Sequence, residues 1–192
     1  MIDDYRADYA GAGSMKKRCP HNDGYKPEKL PQGISANRHR TSALAYADAA
    51  KKLFDSEENN LRQPAYFAIS HAVELFLKAY LLAKGIEANV LATKMRHCLE
   101  CLWVEAKENG LIVPGYDMPV LMHHLNEYSI IFRYPDIQIL EALSSKDLME
   151  LVAVLDRATK SAIFKAYLKE LGPNKPYGIT FFSHGGREGS EP

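Results

Sequence analysis

The residues of this chain best suited to chemistry interrupt one greasy segment. Between Tyr66 and Leu82 nearly every side chain is apolar, yet Ser70, His71, Glu74 and Lys78 break the run. Their spacing places all four along one stripe of a helix. A carboxylate taken out of water must gain a partner or a proton, because an isolated buried charge costs several kcal/mol. Two readings stay open on the residues alone. In one, the stripe faces solvent and Glu74 pairs with Lys78 at i,i+4. In the other, a cation from elsewhere anchors Glu74, and the two organise a polar pocket. Arg96-His97 and Arg133 supply that cation in the second reading. An arginine there can grip a carboxylate or a phosphate with a fork of hydrogen bonds. His97 is either a pocket histidine or a structural one.

Other constellations carry less. Cys98 and Cys101 follow His97, and Cys19 with His21 would bring the soft ligands to a number suited to zinc. No second pair has zinc-ribbon spacing, and Leu99 and Leu102, which alternate with the cysteines, read as helix packing, so the expectation is no metal and no cofactor. A thioredoxin-like role for Cys98 and Cys101 would need a βαβ context that the pattern lacks. His123 and His124 are adjacent and point about 100° apart on a helix, which suits a surface pair. No phosphate-cradling glycine loop occurs.

Five helical segments must position these groups. The first opens at Thr41 or Ser42 and turns Leu44, Ala47, Ala50 and Phe54 to one face. The second runs from near Pro64 to Lys84, with Gly85 as its stop, and is apolar enough all round for the centre of a bundle. The third spans Thr93 to Asn109. The fourth opens at Asp117 or Pro119 and closes at Pro135. The last starts at Ser144 or Ser145 and ends at Gly172-Pro173. Nothing alternates with period two for long enough to build a sheet. The expected architecture is an all-α, four- to five-helix up-and-down bundle over residues 41–171. An irregular arm, 1–40, precedes it and a tail, 172–192, follows. The basic clusters Lys16-Lys17-Arg18 and Arg38-His39-Arg40 read as solvated charge in that arm.

Composition bounds the function. The chain has 192 residues, 46% of them hydrophobic. That is enough for one domain to bury roughly 70% of its unfolded surface without disulfides or metals. Lys plus Arg total 24 and Asp plus Glu total 24, a balance unlike that of proteins that coat duplex nucleic acid. Three cysteines without a framework fit a reducing, cytoplasmic location. The acidic opening MIDDYRADYA lacks a secretory signal pattern, and His71, Glu74 and Lys78 argue against a membrane span.

Three stretches carry a family likeness. Ser70-His71-Ala72-Val73-Glu74-Leu75-Phe76-Leu77-Lys78-Ala79-Tyr80-Leu81-Leu82 resembles the second helix of HEPN domains, the "higher eukaryotes and prokaryotes nucleotide-binding" superfamily. His97-Cys98-Leu99-Glu100-Cys101-Leu102 is similar to the His-x-Leu-x-x-Leu that opens their next helix. Phe132-Arg133-Tyr134-Pro135-Asp136 resembles the Arg-Tyr-Pro-Asp element before their last helix. The three occur in the family's order. The resemblance implies a helical bundle, often homodimeric. It also implies kinship with RNA-cleaving toxins, partners of small nucleotidyltransferases, and non-catalytic nucleotide- or RNA-binding modules.

Ribonuclease members usually place a His five to seven residues after an Arg. No Arg here has one there; Arg62 and His71 are nine apart. The expectation is therefore a non-catalytic module that binds nucleotide or RNA, acting with a nucleotidyltransferase or in a toxin–antitoxin-like defence system. Arg133, Tyr134, His97, Arg96 and Lys78 would form its ligand site, and Ser70, His71 and Glu74 a structural polar network. The alternatives are a metal-independent ribonuclease using His97 and Arg133, and a purely protein-interacting module. Excess apolar surface on Phe67, Phe76, Tyr80, Tyr128, Ile130, Ile131 and Phe132 adds the expectation of a homodimer with Arg133 and Tyr134 near its axis.

Overall fold

A computed structural model describes residues 30–131 and 143–172. Six α-helices occur among the described residues, with no strand. They are α1 (Gln32–Phe54), α2 (Arg62–Ala83), α3 (Ala88–Val90), α4 (Leu99–Glu108), α5 (Met118–Ile131) and α6 (Ser145–Leu171). The all-α bundle expected from the periodicity is the fold. Residues 1–29, 132–142 and 173–192 lie outside the described residues, and the Phe132–Asp136 element lies with them.

Two or more contacts in each pair fix the directions. Phe54 meets Tyr66, Tyr46 meets His71, and Gln32 reaches the carbonyls of Gly85 and Ile86, so α1 and α2 run antiparallel. Arg40 meets Asp156 and Gly33 meets Ala166, so α1 and α6 also run antiparallel. Glu100 meets His123, and the Leu99 N–H donates to Asn126 Oδ1, so α4 and α5 do the same.

The first helix begins at Gln32, nine residues before the expected start at Thr41. Its buried face is Gly33, Ala36, Ala43, Ala47 and Ala50, small residues that carry almost no hydropathy signal. Thr41 is not a cap; its hydroxyl donates to the Asn37 carbonyl inside the helix. Leu44, expected on the core face, is exposed. Small side chains let α6 approach closely, and a Cβ on Gly33 would lie 2.2 Å from the Ala166 carbonyl oxygen. Arg40 seals this contact with a forked pair to Asp156 at 2.7 and 3.0 Å, which removes it from the basic cluster expected in the arm.

Helix α2 occupies the centre, with 14 of its 22 residues buried. On length and composition it would pass for a membrane span, but its apolar surface is packed against α1, α6, α4 and α5. Phe76, Tyr80 and Tyr128 lie inside this chain's own core, so these three need no second subunit to cover them. Two tyrosines then fix where the chain re-enters after residue 142. The Tyr66 hydroxyl donates to the Leu143 carbonyl at 2.7 Å, and the Leu143 N–H donates to the Tyr128 hydroxyl at 2.9 Å.

The expected third helix is interrupted. A π-helical turn, Leu91–Met95, ends at Arg96, whose φ of 47° no regular helix admits. Thr93, expected to open the third helix, lies inside that turn, its hydroxyl donating to the Asn89 carbonyl. Helix α4 restarts at Leu99 with Cys98 as its cap, and the Cys98 sulfur accepts the Cys101 N–H at 3.2 Å. His97 consequently lies in a turn.

Candidate functional site

The turn delivers His97 to the polar stripe of α2. Glu74 sits halfway along that helix and is only 5% exposed, so its carboxylate has almost no water. It is met from three sides. Lys78, one turn on, donates to Oε1 at 2.6 Å. His97 Nδ1 lies 3.1 and 3.2 Å from the two carboxylate oxygens. His71 Nδ1 lies 3.6 Å from Oε2. Burial by itself would raise the Glu74 carboxyl, but the hydrogen bonds from His71, Lys78 and His97, with the Lys78 charge, outweigh it and hold it down at about 2.

The two readings of the stripe prove complementary. Glu74 pairs with Lys78 as in the solvent-face reading, yet it is buried and also anchored from another element. Ser70 turns inward to its own helix and donates to the Tyr66 carbonyl at 2.9 Å. Arg96 is exposed beside His97. Arg133 and Tyr134 lie outside the described residues.

An ionised carboxylate is acceptor-only, so the His97 nitrogen facing it carries the hydrogen. That leaves Nε2 as the ring's second polar atom. The His97 side chain is 59% exposed, so the ring is fixed at one nitrogen and open to solvent over much of its surface. His71 is held differently. Tyr46 meets its ring edge-on at 4.5 Å between centroids, and Phe67 stacks parallel to it at 6.4 Å. Tyr46 itself is 41% exposed. A continuous path thus runs from an exposed aromatic ring through His71 and Glu74 to an exposed imidazole.

A family comparison decides the lineage, because the HEPN domain family matches residues 36–157, well over half of the chain. The chain belongs to the HEPN domain family. A comparison with curated proteins and one with solved structures each returned no match. In this HEPN domain the matched span contains α2, the interrupted turn and α4, which together carry every member of the Glu74 cluster.

The remaining histidines form a separate surface group. His123 Nδ1 lies 2.9 Å from Glu100 and its Nε2 lies 3.4 Å from Glu127, while His124 reaches Glu127 only at 4.0 Å. The hydrogen bond to Glu100 raises His123 above its ordinary value. Among the described residues no group of His, Cys, Asp and Glu could hold a metal ion. Two features escaped the sequence. No pattern on α1 marks Tyr46, and only its packing on His71 singles it out. The second is the Cys98–Cys101 disulfide, because the alternating Leu99 and Leu102, both buried, account for the same pattern as helix packing.

Proposed function

We propose that this HEPN domain binds a nucleotide or a short RNA at the His97–Glu74 site and does not cleave it. The observation that carries this reading is the exposed His97 ring, oriented by a buried, ionised carboxylate. Such a ring, when Nε2 also carries a hydrogen, donates one directed, charge-assisted hydrogen bond to a phosphate oxygen at little cost in ordering. Arg96 beside it adds positive charge, and Tyr46 offers a face on which a base can stack. Lys78 is 13% exposed and committed to Glu74, so it acts by neutralising the carboxylate that would otherwise repel a phosphate.

Metal-independent cleavage of a phosphodiester calls for a base or acid and a phosphate clamp held together. His71 is a poor second partner, since its ring is occupied by Tyr46 and Phe67. The Arg-to-His spacing of the ribonuclease members is missing as well. A second reading, a metal-independent ribonuclease using His97 and Arg133, draws on the same carboxylate-held imidazole, an arrangement suited to a general base.

Fluorescence anisotropy with labelled ATP and labelled single-stranded RNA tests both. His97→Ala and Tyr46→Ala are expected to weaken binding about tenfold, the scale of one charged hydrogen bond or one stacking contact, and the RNA is expected to stay intact. Equal binding by wild type and both variants refutes the site. RNA cleavage that disappears in His97→Ala favours the ribonuclease.

A further inference from the structure

Cys98 and Cys101 are joined by a disulfide at the start of α4, one residue after His97. We propose that this pair is a reversible thiol–disulfide site that reacts with dithiols, and that its redox state gates the contact of His97 with Glu74. The second half rests on the binding role given to His97 above.

Four features support the site. The sequence separation is three residues, so the bond closes a very small loop and restrains the unfolded chain far less than a long-range bridge does. Its worth to the fold is correspondingly small. Second, Cys101 is exposed and Cys98 half-buried, so a partner thiol can reach the outer sulfur. Third, Cys98 caps a ten-residue helix, and its sulfur already accepts the Cys101 N–H. The N–H groups and the positive pole of the helix stabilise a thiolate there, which favours Cys98 as leaving group and stabilises the reduced pair. Fourth, the residue before His97 is Arg96, with the positive φ that non-glycine residues rarely adopt. A bond between Cys98 and Cys101 pins the chain immediately after that strained turn. Breaking it gives the 96–98 segment freedom to relax and to draw His97 from Glu74.

The exchange balances as follows. A thiolate of the external dithiol attacks Cys101 Sγ, the Cys98–Cys101 bond breaks, and its electron pair leaves on Cys98 Sγ. The second thiol of the reductant, deprotonated, then attacks its own sulfur in the mixed disulfide and releases the Cys101 thiolate. The dithiol is oxidised to a disulfide, and the protein pair is reduced by two electrons and takes up two protons.

The full chain is equilibrated in glutathione buffers of graded ratio, quenched with N-ethylmaleimide, and the peptide spanning Cys98 and Cys101 is weighed. The expected result is a passage from no label to two labels within the glutathione range, with Cys98→Ser, which lacks the leaving sulfur, trapping a mixed disulfide with glutathione at Cys101. A pair that stays bonded in excess dithiothreitol, or that takes two labels even in fully oxidised glutathione, overturns the site. Proton NMR of the His97 ring reads the gate. A shift between oxidised and reduced wild type that is absent in Cys101→Ser is expected, and an unchanged resonance overturns the gating. Neither measurement uses a nucleotide, so failure here and failure of the binding proposal are separable.

Discussion

Glu74 and His97 meet across 23 residues of chain, with both carboxylate oxygens within 3.2 Å of one imidazole nitrogen. The contact ties the central helix to the turn before α4, and Lys78 completes it from below on the same helix. Polar groups this deep are stable only as a set, because each one left alone would keep its desolvation cost without its partner.

Removing the carboxylate should therefore be severe. Glu74→Ala leaves the Lys78 ammonium, 13% exposed, without its counter-charge. The expected loss is about 3–5 kcal/mol by urea denaturation. Glu108→Ala, at an exposed position near the end of α4, should change stability by no more than about 0.5 kcal/mol. Equal losses for the two would mean that the cluster contributes nothing beyond an ordinary surface pair.

The same carboxylate sets an acid limit. Its value is about 2 in the folded chain against an ordinary 4.5. A depressed carboxyl stabilises the fold fully above its unfolded value, and that stability drains away as pH falls from about 4.5 towards 2. A shift of this size corresponds to roughly 3 kcal/mol. Chemical denaturation between pH 6 and pH 2 should show the loss in wild type. In Glu74→Gln, which cannot titrate, the curve over that interval should be flatter by a comparable amount.

Close approach of α1 and α6 gives a steric test. Gly33→Ala places a methyl 2.2 Å from a backbone carbonyl oxygen of Ala166, and backbone cannot swing aside as a flexible side chain can. Alanine's better helix propensity offers at most about 1 kcal/mol in return. Overpacking of this kind costs roughly 1–3 kcal/mol, so a lowered melting temperature is expected. A raised one would show that α6 is free to move away.

Sequence reading reached the bundle and most of its punctuation for identifiable reasons. Gly85 and Gly172 adopt the positive φ that ends α2 and α6, and α6 begins at Ser145 as its pattern indicated. Long apolar side chains such as Ile69, Phe76 and Leu151 announce their faces. Burial through Gly33 and Ala36 does not, which hid the first turns of α1. Arg96 hid the break before α4, because an arginine with positive φ leaves no trace in composition. Glu74, Lys78 and His97 were all visible as candidates, but their meeting depended on that break. The pairing of the stripe with solvent or with a distant cation was undecidable because a helix pattern fixes spacing and leaves the neighbouring element unspecified.

The two tyrosines that hold Leu143 yield the last prediction. Tyr66 donates to its carbonyl and Tyr128 accepts its N–H, so the peptide groups on both sides of this one residue are held where the chain enters α6. Burial also pushes the Tyr66 phenol above its ordinary value, which keeps the hydroxyl a donor across the neutral range. Tyr66→Phe and Tyr128→Phe each delete the hydrogen bond to Leu143 and leave the rings in place. Each should cost about 1 kcal/mol, near the net worth of one such bond. Because both bonds end on the same residue, the double variant should not be additive, and a coupling of at least about 0.5 kcal/mol is expected. Amide hydrogen exchange provides a direct readout, with the Leu143 N–H exchanging faster in Tyr128→Phe. Additive losses together with unchanged Leu143 exchange would show that α6 is positioned by its packing on α1 and α2 alone.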